Sequence, residues 1–144
     1  MPANARVLLV VENDDFLDGL SAWISQCPGF EVAGIAHSAR EAYERTFLLS
    51  PDIVLMDLSL TGSGLAATRL IKARAGAPLV VLMTFHDAVA VRDEAKAAGA
   101  DACVSTSELT EAFPAIAGEL WRARQAYRAL PRTVNATRAR DIES

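Results

Sequence analysis

Apolar residues follow two alternating patterns along the chain, short continuous runs and longer segments with helical spacing. Continuous runs of this kind are typical of strands buried on both faces of a parallel sheet. They lie at residues 6–11, 30–36, 53–56, 78–83 and 102–105. Each run is followed by a segment in which apolar residues recur every three or four positions, as in an amphipathic helix. The pattern predicts five βα units, which right-handed crossovers would assemble into a doubly wound three-layer α/β sandwich.

Capping residues mark several of the predicted helix boundaries. Residues 12–15 form an acidic turn that can cap the first helix, and Ser38 with Glu41 matches a capping box at the start of the second. A long final helix is predicted from Glu108 onward. Pro114 lies within its apolar stripe, so the regular helix either starts near this residue or bends there.

Length and composition limit the possible domain organisation and the possible classes of function. The 144 residues fit one domain, which we place at residues 1–130, followed by a polar C-terminal tail or linker stub at 131–144. No apolar run approaches the roughly 20 residues of a membrane span, so we expect a cytoplasmic protein without membrane contact. The net charge of −4 argues against direct nucleic-acid binding, which requires clustered Lys and Arg.

A carboxylate at the end of the third apolar run is the main candidate for chemistry. Asp57 follows this run directly, and open α/β sheets bind ligands at the carboxyl ends of their strands. The same topology predicts that Glu12, Asp57 and Thr84 converge in one surface pocket. Carboxylates and a hydroxyl suit Mg²⁺ beside a phosphoryl group, and a carboxylate can itself form an acyl phosphate. The alternative is that Asp57 only ends the strand or caps the next helix.

Four segments of the sequence resemble those of a known family. They are VLLVVENDDFLDGL, PDIVLMDLSLTGSGLAATR, LVVLMTFHD and AAGADACVS. The order and spacing of these segments resemble those in the receiver domain of bacterial two-component response regulators. The resemblance covers residues of about 5 to 128. The resemblance implies a flavodoxin-like (βα)5 fold with the parallel sheet order 2-1-3-4-5. It also implies a phosphorelay function, in which Asp57 takes phosphate from a histidine kinase or phosphotransfer protein.

The resemblance further implies roles for the residues around Asp57. Glu12, Asp57 and the backbone carbonyl of Ser59 would hold Mg²⁺, the expected cofactor. Thr84 would hydrogen-bond the phosphoryl group, and Phe85 would lie beside the phosphate site. Apart from Mg²⁺-dependent phosphorylation and dephosphorylation of its own Asp57, no enzyme activity is expected.

Four positions depart from the family pattern. Val11 stands at one of two adjacent acid positions after the first strand, and Thr106 replaces a lysine that follows the fifth strand. Phe85 replaces a small residue after the hydroxyl, and Cys103 replaces an aromatic residue of the fifth strand. We therefore expect weak Mg²⁺ binding and impaired phosphorylation or switching, as in a degenerate receiver.

Two classes of function follow, and a third has less support. The first is a phosphoacceptor switch that rearranges the last helices. The second is a phosphorylation-independent protein–protein interaction module. The expected contact surface for a partner or a homodimer is an apolar stripe on the last helix, formed by Phe113, Ile116, Leu120 and nearby Trp121. Most of this stripe is nevertheless expected to pack on the sheet. A small-molecule site is weakly supported, because no GxGxxG, P-loop or clustered His occurs.

Overall fold

The structure is a computed structural model that describes residues 4–131, so the expected C-terminal segment lies outside the described residues apart from Pro131. The described residues form five strands and five α-helices in strict alternation, with a short 3-10 helix at Thr106–Glu108. The elements are β1 (Ala5–Val10), α1 (Asp14–Gln26), β2 (Phe30–Ala36), α2 (Ala39–Leu49), β3 (Ile53–Asp57), α3 (Gly64–Lys72), β4 (Leu79–Thr84), α4 (Ala88–Ala97), β5 (Ala102–Ser105) and α5 (Leu109–Arg128). All strands are parallel, in the order β2-β1-β3-β4-β5, which confirms the predicted fold class and strand order.

Helices cover both faces of the sheet. In β1, Val7 and Leu9 belong to an apolar cluster that also contains Phe113 of α5 and residues of α1. The intervening Leu8 belongs to a second cluster, with Ile71 of α3 and residues of α2 and α4. Successive side chains of a strand point to opposite faces, which produces this division. One face is therefore covered by α1 and α5, and the other by α2, α3 and α4.

The stripe on α5 contributes mainly to the core. Phe113 is fully buried, so it is a core residue and not part of a surface. Ile116, Leu120 and Trp121 are partly buried and pack against the same cluster. The helix begins five residues before Pro114, so the proline lies inside α5 and does not start it. No helix of the described chain, α5 included, is long and apolar enough to cross a membrane.

The predicted helix caps are present, with one change of partner. The Asn13 side chain accepts a hydrogen bond from the backbone N–H of Phe16 at 2.8 Å, which caps α1. At the start of α2, Ser38 Oγ accepts the N–H of Glu41 at 3.1 Å, as a capping box requires. The Glu41 carboxylate reaches back to the N–H of His37 at 3.0 Å instead of that of Ser38.

A close backbone approach at Gly64 fixes the path of the chain after β3. A Cβ atom at this position would lie 2.6 Å from the carbonyl oxygen of Asp57 and 2.9 Å from Cα of Leu58. Both neighbours are backbone atoms, so relief requires the loop after Asp57 to move. We expect Gly64→Ala to lower the free energy of unfolding by roughly 1 to 3 kcal/mol, as overpacking does, measured by urea denaturation.

Gly19→Ala is the matched control for this substitution. Gly19 lies inside α1, and a Cβ atom there would meet nothing within 4 Å. Alanine is the better helix former, so this variant should gain roughly 0.5 to 1 kcal/mol. Equal stabilities of the two variants would contradict the close approach at Gly64.

Candidate functional site

Asp57 ends the central strand of the sheet and is fixed by the turn that follows it. Its residue is 9% exposed. Oδ1 accepts two hydrogen bonds from Ser59, one from the backbone N–H and one from the hydroxyl, both at 2.9 Å. Oδ2 accepts no hydrogen bond from any residue of the described chain. The carboxylate is therefore held in one orientation and keeps one oxygen for another partner.

The alternative role of Asp57 as a helix cap is wrong. The cap of α3 is Ser63, whose Oγ accepts the N–H of Ala66 at 3.2 Å. The hydrogen bonds of Asp57 remain within its own turn, to Ser59. These side-chain bonds were not predicted, because the family resemblance assigns only the backbone carbonyl of Ser59 to the site.

Glu12 lies in the loop after β1 and contacts the loop after Asp57. Its Oε1 accepts the backbone N–H of Thr61, and this hydrogen bond lowers the pKa of the Glu12 carboxyl. The carbonyl of Thr61 in turn accepts the N–H of Ala39 at 3.3 Å. The loops after β1, β2 and β3 are thus joined at the carboxyl edge of the sheet.

Thr84 ends β4, the strand beside β3, and is 3% exposed. Asp57 pairs in register with Met83, so Thr84 is one residue further along the neighbouring strand. Its Oγ1 accepts the N–H of His86 at 3.1 Å. Within the described chain no hydrogen bond joins Thr84 to Asp57 or to Glu12. All three lie at the same edge, but their convergence in one pocket stays a prediction.

An aromatic contact crosses this edge of the sheet. Phe85 follows β4 directly and is 59% exposed. Its ring centroid lies 5.6 Å from that of Phe16, in the first turn of α1, with the planes tilted by 59°. The sequence placed Phe16 only among the apolar positions of α1, and its contact with Phe85 was not predicted. The sequence did contain one signal for this contact, because Phe16 is an aromatic residue that directly follows the polar residues 12–15.

The remaining departures from the family pattern lie in different environments. Val11 is 2% exposed and belongs to the apolar cluster covered by α1 and α5. Thr106 begins the 3-10 helix and lines a mostly apolar groove of about 350 Å³ between α1 and the start of α5. Cys103 packs on the opposite cluster, where burial raises the pKa of its thiol.

A histidine joins the first two helices near the site. His37 Nε2 lies 2.9 Å from Oδ1 of Asp14, and its Nδ1 lies 3.8 Å from Oε2 of Glu41. Asp14 is therefore turned toward the loop after β2. The contact between residues 14 and 37 was not predicted from the sequence.

The donor set at the edge is partial for a metal ion. No group of three His, Cys, Asp or Glu side chains suited to a metal occurs among residues 4–131. Asp57 Oδ2 accepts no hydrogen bond from the described residues, and the carboxylates of Asp57 and Glu12 are hard oxygen donors of the kind that Mg²⁺ prefers. Two carboxylates fit such an ion when water or backbone oxygen completes the shell.

Known proteins similar to this chain share one domain type. Residues 7–112 match the family model of the response regulator receiver domain. The transcriptional regulatory protein LiaR of Bacillus subtilis is 34% identical over 113 residues, which cover 77% of this chain and 54% of LiaR. A protein-glutamate methylesterase/protein-glutamine glutaminase of Myxococcus xanthus is 35% identical over 80 residues, or 55% of this chain and 23% of the enzyme. The chain thus spans about half the length of LiaR and less of the enzyme.

A solved structure agrees with these relatives. The two-component response regulator of the LuxR family from Aurantimonas sp. SI85-9A1 superposes with a TM-score of 0.72 and is 36% identical. The match covers 81% of this chain and 87% of that one. The family model, LiaR and this structure each match more than two thirds of the chain. The chain therefore belongs to the response regulator receiver domain family.

Proposed function

We propose that this receiver accepts a phosphoryl group on Asp57 from a histidine kinase or phosphotransfer protein, slowly and with weak coupling to its other surfaces. The observation that carries the proposal is the carboxylate of Asp57, which is held through Oδ1 by Ser59 and keeps Oδ2 without a partner. Oδ2 would attack phosphorus. A P–O bond then forms as the P–N bond of the phosphohistidine breaks, and the bonding electron pair leaves on the imidazole nitrogen.

The neighbouring residues would orient and stabilise the phosphoryl group. Glu12, Asp57 and the Ser59 carbonyl would hold Mg²⁺, which supplies positive charge to the phosphoryl oxygens when it is bound. The Thr84 hydroxyl accepts the His86 N–H, so its own hydrogen remains available for donation to a phosphoryl oxygen. These roles follow from the family resemblance and from the position of each residue at the edge of the sheet.

The absence of a cation at Thr106 supports slow chemistry and weak switching. The family lysine at this position makes a charge-assisted contact with the phosphoryl group, a class of interaction that contributes roughly 1.5 to 3 kcal/mol. A threonine hydroxyl is neutral and its side chain is shorter. The phosphoryl group on Asp57 would therefore be less stabilised. Its effect on the conformation of β5 and α5 would also be weaker.

The burial of Val11 supports a different assignment of the missing acid position. The family places two adjacent acids after the first strand, and β1 ends at Val10. Val11 follows the strand but is buried in the apolar core, whereas the next two residues, Glu12 and Asn13, are exposed. We infer that Asn13, and not Val11, occupies the second acid position. Its side chain caps α1, a role that aspartate fills equally well.

Phosphorylation of Asp57 can be tested with acetyl phosphate and Mg²⁺, followed by intact mass. We expect slow addition of one phosphoryl group per chain and none in Asp57→Asn, because the amide is not a nucleophile. Asp93→Asn, a change on the exposed side of α4, is the control and should be modified like the wild type. Equal modification of Asp57→Asn would refute the proposed phosphoacceptor.

Restoring an acid discriminates between the two assignments. Asn13→Asp should bind Mg²⁺ more tightly than the wild type, because affinity rises with the number of charged ligands. Val11→Asp should instead lose stability, because a carboxylate would enter the apolar cluster beside α1. Calorimetric titration with Mg²⁺ and thermal unfolding of both variants measure the two effects. Tighter Mg²⁺ binding by Val11→Asp than by Asn13→Asp would show that position 11, and not position 13, corresponds to the second acid position of the family.

A phosphorylation-independent interaction module is the second candidate, favoured by the neutral Thr106 and the bulky Phe85. In that case the surface of α5 around Ile116 and Trp121, partly buried against the core, would bind a partner or a second copy constitutively. We expect sedimentation velocity to give the same oligomeric state before and after treatment with acetyl phosphate, and in Asp57→Asn. A change of state confined to the phosphorylated wild type would establish an ordinary switch.

A further inference from the structure

The contact between Phe16 and Phe85 joins segments that follow the two strands flanking β3. In the sheet, β3 lies between β1 and β4. Phe16 belongs to the segment that follows β1, and Phe85 directly follows β4. Their ring centroids are 5.6 Å apart, so the segments on either side of the strand that carries Asp57 are in contact.

The rings and the carboxylate also lie on the same side of the sheet. Ile53 and Leu55 of β3 belong to the cluster covered by α1 and α5, and the alternation of a strand directs Asp57 to that side as well. Phe16 packs against the same cluster. Asp57 is only 9% exposed, although it lies at a loop edge where polar side chains normally meet water.

We propose that the Phe85 ring covers Asp57 and limits the access of phosphodonors to it, and that Phe16 is the positioning residue that holds this ring. The inference rests on the proposed function of Asp57 as phosphoacceptor. The cover is partial, because the Phe85 side chain is more than half exposed and a single tilted ring contact holds it. Loss of one aromatic contact of this class raises the fraction of chains in which the Phe85 ring is displaced from Asp57 by at most about tenfold.

The same ring lies on the path between Thr106 and Asp57. Thr106 follows β5, which pairs with β4, and Phe85 follows β4. A cation at position 106 would therefore have to pass the Phe85 ring to reach the end of β3. The neutral residue at 106 and the large residue at 85 are coupled departures, because a lysine alone would still meet the ring and removal of the ring alone would supply no cation.

Access to position 57 can be measured without any phosphorylation. In an Asp57→Cys background, the rate of alkylation by iodoacetamide at residue 57 is followed by peptide-resolved mass spectrometry. Phe85→Ala should raise this rate roughly tenfold, the limit set by the ring contact. Cys27 and Cys103, the two free thiols of the chain, should keep their rates and serve as internal references. An unchanged rate at residue 57 would overturn the cover.

Matched substitutions separate the cover from a general loss of structure. Phe47 on α2 is 59% exposed, as Phe85 is, so Phe47→Ala should leave the rate at residue 57 unchanged. Phe16→Ala should raise it, and the conservative Phe16→Tyr should restore the wild-type rate, because it keeps a ring in contact with Phe85. A rate in Phe16→Ala equal to that of the wild type would remove the positioning role of Phe16.

The consequence for phosphorylation is tested with acetyl phosphate on chains that retain Asp57. Phe85→Ala should be phosphorylated up to roughly tenfold faster than the wild type. Thr106→Lys alone should change the rate little, whereas Thr106→Lys with Phe85→Ala should exceed the product of the single effects. Simple multiplication of the two effects would refute the coupling. Faster alkylation at residue 57 together with no phosphorylation of any variant would support the cover and refute the phosphoacceptor.

Discussion

Both faces of the parallel sheet are covered by helices, α1 and α5 on one side and α2, α3 and α4 on the other. Every residue of β3 and β4 is buried as a result. A polar side chain in such a sheet has one way to reach water, which is to stand at the end of its strand. Asp57 and Thr84 occupy those positions, so the site is a direct product of the burial that stabilises the fold.

The loops at this edge hold one another through protein atoms. Glu12 receives the N–H of Thr61, and the carbonyl of Thr61 receives the N–H of Ala39. His37 joins α2 to Asp14 of α1. Hydrogen bonds among the loops therefore order this edge and hold Glu12 against the turn after Asp57. The two hydrogen bonds from Ser59 hold the Asp57 carboxylate in one orientation.

The departures from the family pattern fall on different parts of the proposed reaction. The proposed nucleophile Asp57 matches the family pattern and is held by its turn, whereas Thr106 stands where the family has a lysine. Phe85 follows β4, the strand between those that precede Thr106 and carry Asp57, and it is large where the family has a small residue. In the proposed function, attack by Asp57 and transmission to α5 would therefore be separable steps, and the missing charge would affect both.

Local sequence patterns determined the strands, the helices, their caps and the position of Asp57 at a strand end. Each of these depends on residues close together in the chain, such as Asn13 with Phe16 or Ser38 with Glu41. The contacts across the edge were decided only by the tertiary structure. Glu12 and Thr61 are 49 positions apart, and the Phe16–Phe85 pair is more distant still. Periodicity sets which face of a strand a residue occupies, but which loops meet depends on the strand order and on the helix that covers each face. For the same reason Val11, adjacent to an acid in sequence, is a core residue in the fold.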